Sequence, residues 1–287
     1  MGRSISRKPF YSLTTNFYSM SMKTDLHYAP NYFFAPTHPI SIALVGAGGN
    51  GSLVLARLAR LGHALVQLGH PGLYVTVFDG DLVQPSNVGR QLYAPQDVGG
   101  NKAICAVTKV NHTFGLQWDA VPERIGADDK RLHANLIISC VDGADFRLEL
   151  AKVLNHPRSG SYPYENQHYW LDLGNGKYFG QFVLGNLQHN NLRSEGEAKH
   201  RKLDHIVDLF PDLLAMEKEV EQGRGCSYAD KLQEQSLFIN DTLSSMAVHC
   251  LYELLTNKKI KYHGAFVNLE TGRTNPLPIK SNVHAVA

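Results

Sequence analysis

Apolar and polar positions are ordered most sharply between residues 40 and 160. Ile42, Ala43, Leu44 and Val45 form a short continuous apolar run, the pattern of a strand buried on both faces. The glycine-rich stretch GAGGNG (46–51) follows at once. Beyond it Leu55, Leu58, Leu61 and Leu65 recur at three- and four-residue spacing, with Arg57 and Arg60 off that stripe. This reads as strand, glycine turn and amphipathic helix. Gly69-His70-Pro71-Gly72 stops the helix, and LYVTVF (73–78) supplies a second strand that ends on Asp79. A strand, helix and strand in that order predict parallel pairing through a right-handed crossover, with a ligand crevice at the carboxyl ends of the strands.

Further along, the pattern predicts a helix over 101–110, a strand over 116–121, a strand over 135–140 (NLIISC) and a helix over 145–154. The second half is less regular. It predicts strands at 169–173 and 181–184, a helix over 242–255 and a final strand at 264–269. The charged, His-rich stretch 188–208 reads as a solvated loop or crossover. Residues 1–39 carry Pro9, Pro30, Pro36 and Pro39 among many aromatics and read as an arm laid on the body. The expected fold class is α/β: a Rossmann-like, mostly parallel sheet with helices on both faces, an N-terminal arm over 1–39, a regular half over 40–160 and a second half of the same domain over 161–287.

Composition narrows the function classes. Hydrophobic residues make up 43% of the 287 and charged residues 19%, as in an ordinary enzyme and unlike a disordered chain. The net charge of +2 gives no bulk attraction to nucleic acid or an anionic membrane, so any anion must be bound locally. No apolar stretch approaches the ~20 residues of a membrane helix, and the basic start is not followed by the apolar run of a secretory signal. The four cysteines, Cys105, Cys140, Cys226 and Cys250, include no C-x-x-C pair, which argues against structural zinc and suits a reducing cytoplasm.

The G-x-G-x-x-G of Gly46, Gly48 and Gly51, with Gly49 between, suits a pyrophosphate. Glycines permit close backbone approach, and the helix that follows offers free N–H groups. A tight strand-to-helix turn with no ligand is the plain alternative. Asp79 stands where an acid accepts hydrogen bonds from ribose hydroxyls, its plain alternative being the cap of a turn. A nicotinamide-dependent oxidoreductase fits these residues alone. The string DGDLVQPSNVGRQ (79–91) and the segment DVGGNK (97–102) change the weighting. Hydride transfer gains nothing from Arg90 and Lys102 at the phosphate end. Adenylate formation needs such cations, because charge builds on the phosphoryl oxygens as a carboxylate attacks and pyrophosphate leaves.

From Ser41 to Arg147 the sequence resembles the ThiF/MoeB group of ubiquitin-activating-enzyme-like adenylyltransferases. The resemblance rests on GAGGNG, the D-x-D-x-V-x-x-S-N-x-x-R-Q string, the Asp-Val-Gly…Lys segment, and Asp142 after a hydrophobic strand with Arg147 beyond it. It implies that Asp79 binds the ribose, with Asp81 beside it, that Asn87, Arg90 and Lys102 meet the ATP phosphates, that Gln91 lines the pocket, and that Asp142 holds magnesium. The half over 40–160 would then bind ATP and the half over 161–287 the acyl substrate. The segment YWLDLGNGKYFGQFVLG and the stretch from CSYADKLQEQSLFIN to KIKYHGAFVNLETGRTNPLPI are most similar to the ThiF-related proteins of the plasmid-borne PRTRC cassette. The family's zinc-binding C-x-x-C pairs are absent, as is the R-Y-x-R-Q-like segment that carries an arginine to a partner subunit's ATP; Arg3, Arg7 and Lys23 have no motif to replace it.

Cys226, beside Arg224 in GRGCS (223–227), is the best candidate for a reactive thiol, against the plain reading of a cysteine packed near a turn. Cys105, Cys140 and Cys250 lie in apolar patterns and read as packing residues. None of the 14 histidines has metal-ligand spacing, and Tyr93, Trp118 and Trp170 read as core or pocket wall. The expected function is ATP- and Mg-dependent adenylation of the C-terminal carboxylate of a small ubiquitin-like or ThiS-like protein by a homodimer, with catalysis through Arg90, Lys102 and Asp142 and thioester formation on Cys226. The rivals are the oxidoreductase and a non-catalytic nucleotide-binding scaffold in a plasmid-borne assembly.

Overall fold

The computed structural model describes residues 25–157, 160–187, 202–212 and 236–279. Through them runs an eight-stranded sheet built from β2 (Ile40–Val45), β3 (Leu73–Phe78), β4 (Asp119–Val121), β5 (Leu136–Ser139), β6 (Tyr169–Asn175), β7 (Phe179–Asn186), β9 (Tyr262–Asn268) and β10 (Arg273–Pro278). Its order is β4-β3-β2-β5-β6-β7-β9-β10. The five strands from β4 to β6 are parallel, and β7, β9 and β10 extend them antiparallel. Apart from this sheet, β1 (His27–Tyr28) pairs with β8 (Lys259–Ile260).

The helices are α1 (Gly49–Gln67), α2 (Lys102–Phe114), α3 (Ala144–Leu154), α4 (Ile206–Leu209) and α5 (Ile239–Thr256). Alternation along β2 divides the core. Ile40, Ile42 and Leu44 face α1, α2 and α5, while Ala43 and Val45 join Leu150, Leu154 and Ile206 on the other side. The helices therefore cover both faces, as the sequence pattern predicts. Leu55, Leu58, Leu61 and Leu65 are all buried on α1. At about 1.5–3 kcal/mol for each large apolar side chain, that stripe outweighs any weakness of the glycine-rich helix start. Arg57, off the stripe, reaches across to Asp241 and Ser245 of α5.

Several boundaries differ from expectation. The strand expected over 116–121 pairs only over Asp119–Val121, because Trp118 turns inward and donates to Leu73 O. The strand over 262–268 is not the last: β10 follows it as an edge strand. Pro276 and Pro278 hid β10 from the sequence pattern, and an edge strand tolerates proline because it pairs on one side only. Within the stretch read as loop, Ile206–Leu209 forms one helical turn started by His205. The described part of the N-terminal arm lies against the body, where His27 meets the Tyr169 hydroxyl at 2.7 Å and Phe33 is buried. Trp118 and Trp170 are buried, as expected. Among the described residues no helix is long and apolar enough to cross a membrane.

Candidate active site

After β2 the chain goes to β3 on one side of it and later to β5 on the other, so the carboxyl ends of β2 and β5 flank the switch point of the sheet. The glycine turn fills that point. Gly46 has φ of +90°, and a Cβ there would lie 2.5 Å from Cys140 O. A Cβ on Gly51 would lie 1.8 Å from Gly46 O, so the start of α1 can close on the turn only if that residue is glycine. Gly49 abuts the Asn240 amide. Gly48 differs: nothing lies within 4 Å of where its Cβ would be, and no side chain caps the helix it precedes. The start of α1 is thus open at Gly48 and carries no side-chain cap, while Asn50, Gly51 and Ser52 behind it are buried; a helix start without a side-chain cap suits an anion.

One wall comes from β3 and the segment after it. Asp79 accepts hydrogen bonds from Ala47 N (2.6 Å) and Asp81 N (2.8 Å), so in this structure its carboxylate braces the glycine turn. Asn101 donates to Asp79 O and Asp81 O and caps α2 by accepting from Ile104 N. Lys102, the first residue of α2, places Nζ 3.0 Å from Asp81 Oδ2, and Arg124 meets Asp81 Oδ1 at 2.7 Å. The Arg124 hydrogen bond, and behind it Lys102, hold the Asp81 carboxyl below the usual range against the opposing effect of burial. The Tyr93 hydroxyl lies 2.6 Å from Ala47 O and 3.2 Å from Lys102 O, tying the turn to the lysine. Burial holds that hydroxyl well above its ordinary pKa, so it stays a donor.

The opposite wall is the loop of residues 140–143. Cys140 N donates to Val45 O and its carbonyl faces Gly46, so the loop rests directly on the glycine turn. Asp142 is exposed at its tip. Under the loop Arg147 Nε donates to Asp172 Oδ1 at 2.8 Å, and Ser139 Oγ donates to the same oxygen. Burial is the largest single influence on Arg147 and acts to lower its pKa; the charge and hydrogen bond of Asp172, with smaller contributions from Cys140 and Asp142, together outweigh it and leave the pKa raised. Burial raises the Cys140 and Cys105 thiols and pushes Cys250 up to about 12, which suits packing roles.

The structure thus brings together Gly46, Gly48, Gly49, Gly51, Asp79, Asp81, Lys102 and the loop bearing Asp142. Asn87 is buried, and its side-chain oxygen accepts from Gln84 N, shaping the turn before Arg90. Gln91 is also buried, while Arg90 is half-buried. Cys226, Arg3, Arg7 and Lys23 lie outside the described residues. Reading the sequence missed Arg124, Asp172 and the brace made by Tyr93. Arg124 and Asp172 are distant in sequence from the groups they hold, so no local spacing announces them.

No group of three or more His, Cys, Asp or Glu that could hold a metal occurs among the described residues. Asp142 alone still fits magnesium, which is bound through one or two carboxylates together with substrate phosphates and water. The open space at Gly48 and the Lys102 cation beside Asp81 suit the phosphate groups of a nucleoside triphosphate.

Solved structures share this fold at low identity. PaaA aligns at 16% identity and a TM-score of 0.53, over 84% of this chain and 64% of its own. Escherichia coli MccB crystallised with ATP aligns at 12% and 0.52, over 86% and 66%; MccB with AMPCPP and MccA aligns at 12% and 0.53, over 85% and 65%. The chain spans just under two thirds of the length of these proteins. No curated protein matches the sequence. The ThiF family matches residues 37–191, and that match, over more than half of a chain with this glycine turn and these two walls, places it: the chain belongs to the ThiF family.

Proposed function

We propose that the protein adenylates a carboxylate: it binds ATP with magnesium and joins the C-terminal carboxylate of a small ubiquitin-like or ThiS-like protein to AMP. The observation that carries the reading is the open, uncapped start of α1 between the Lys102–Asp81 pair and the loop of Asp142. A neutral ligand has no use for such a set. Escherichia coli MccB, of similar fold, crystallises with ATP and with AMPCPP and MccA, which supports a nucleotide beside a small protein or peptide.

In the reaction a carboxylate oxygen forms a bond to the α-phosphorus while the bond to the bridging oxygen breaks, and pyrophosphate leaves with the electron pair. The enzyme positions the two reactants and meets the developing charge; no general base is required because the nucleophile is already ionised. The N–H groups at the start of α1 receive phosphate oxygens, Lys102 and Arg90 supply positive charge, and Asp79 offers its remaining lone pairs to the ribose. Asp142 would hold magnesium, which neutralises phosphate charge when bound. Cys226 would take the acyl group as a thioester, and the working unit would be a homodimer. A PRTRC-type cassette would supply the partner.

Incubation with ATP, magnesium and the small proteins encoded beside the gene, followed by mass measurement, tests the reading. A carboxylate-dependent gain of AMP with pyrophosphate exchange is expected. Binding of NADH without exchange would replace it with the oxidoreductase. Cys226→Ala should still form the adenylate but no reductant-sensitive adduct.

A further inference from the structure

We propose that Arg147 and Asp172 are positioning residues for Asp142: their buried ion pair fixes the loop of residues 140–143 and thereby sets the affinity of the site for a divalent cation on a nucleotide. The metal half of this proposal rests on the function proposed above; the loop half does not.

The argument begins with placement. Parallel pairing sets Ser139, the last residue of β5, opposite Asp172 in β6, directly beneath the start of the loop. Asp172 is 1% exposed and Arg147 is 7% exposed. Burying a charge pair requires stripping both groups of water, and a pair of apolar residues of similar volume would hold the strands at least as well. What apolar residues could not do is hold two backbone carbonyls and a carboxylate at once. The Arg147 guanidinium takes Asp172 Oδ1 through Nε (2.8 Å), Leu173 O through Nη2 (3.1 Å) and Gly143 O through Nη1 (3.3 Å). Gly143 adjoins Asp142, so the fork connects β6 to the residue after the exposed carboxylate. On the other side Trp170 Nε1 donates to Ser139 Oγ at 2.8 Å, and that hydroxyl donates to Asp172. The chain Trp170–Ser139–Asp172–Arg147–Gly143 thus carries the rigidity of two central strands to the loop. Asp172 Oδ2 is buried and has no hydrogen-bond partner among the described residues, so the carboxylate is held on one oxygen, and its orientation depends on the arginine and the serine. A supporting shell of this kind typically changes metal affinity by about 10- to 100-fold when removed.

Two variants and two readouts test this. Arg147→Lys keeps the charge but loses the fork; Asp172→Asn keeps the shape but loses the charge. Amide hydrogen exchange over residues 141–145, without ligand, reads the loop, and it should quicken in both variants relative to the rest of α3. Manganese binding at a fixed concentration of a non-hydrolysable ATP analogue, followed by the resonance of free Mn2+, should weaken about tenfold or more, with metal-free binding of the analogue unchanged. Should Asp172→Asn fail to fold, Arg147→Lys and Ser139→Ala carry both measurements. Unchanged loop exchange in the folded variants overturns the proposal whatever the ligand. Faster exchange with unchanged Mn2+ affinity overturns its metal half. A wild-type protein that binds no metal–nucleotide complex overturns the proposed function and the metal half together, while loop exchange still decides the positioning half.

Discussion

Lys102 Nζ lies 3.0 Å from Asp81 Oδ2, and Arg124 meets the other oxygen of the same carboxylate at 2.7 Å. One acid thus holds two cations at the rim of the glycine turn, and an arriving phosphate finds Lys102 already placed. Lys102→Met removes that charge while Arg124 remains on Asp81. A hydrogen bond to a charged group contributes about 1.5–3 kcal/mol, so nucleotide affinity, measured by calorimetry, should fall about tenfold or more. An affinity within about twofold of wild type would show that Lys102 serves only its ion pair.

The glycines of the turn separate fold from function. Gly51→Ala places a methyl group 1.8 Å from Gly46 O, against backbone that cannot yield cheaply, so thermal unfolding should shift downward by many degrees. Gly48→Ala adds its methyl to open space. It should cost far less stability and yet weaken nucleotide binding, because the methyl occupies the approach to the α1 N–H groups. Equal melting losses in the two variants would contradict this assignment.

The contrast between these glycines also marks how far the sequence could be read. The apolar run at 42–45, the glycine turn and the leucine stripe of α1 are local signals, and local sterics and burial fix the elements they announce. The spacing from Asp79 to Lys102 was legible for the same reason, since one turn and one capped helix link them. The Asp172–Arg147 pair was not, because Asp172 reaches the loop through strand register, which depends on the whole sheet. β10 escaped notice because an exposed, proline-bearing edge strand buries too little to show a period of two. For Asp79 the sequence offers a ribose ligand or the cap of a turn; its hydrogen bond from Asp81 N is such a cap, whereas its brace on Ala47 N depends on β2 and β3 lying side by side.

Tyr93 connects the turn to α2 through one hydroxyl, buried between Ala47 O and Lys102 O. Tyr93→Phe keeps the ring in the core and removes the donor. The expected loss, measured by urea unfolding, is about 1–3 kcal/mol, the cost of leaving a buried carbonyl without its partner. Nucleotide affinity should fall as well, since the turn and Lys102 lose their link. A variant as stable as wild type would mean that water replaces the hydroxyl without loss.

The Asp81 carboxyl carries a pH dependence with a definite sign. The Arg124 hydrogen bond, and less so Lys102, lower its pKa in the folded protein below the ordinary value of 3.8, despite burial that acts the other way. The unfolded chain therefore binds this proton more readily than the folded one. Its contribution to stability is fully present above pH 3.8 and disappears as pH falls through the lower, folded value. Asp81→Asn removes that contribution at every pH. The difference in unfolding free energy between wild type and Asp81→Asn should be flat from neutral pH down to about pH 5 and should shrink below it. Because Asp81 is partly exposed and Arg124 largely so, the plateau should be small and should fall further in about 1 M salt, where the screening length is about 3 Å. Urea unfolding across this pH range at low and high salt measures both features. A difference that grows toward acid pH would reverse the sign and place the Asp81 pKa above that of the unfolded chain.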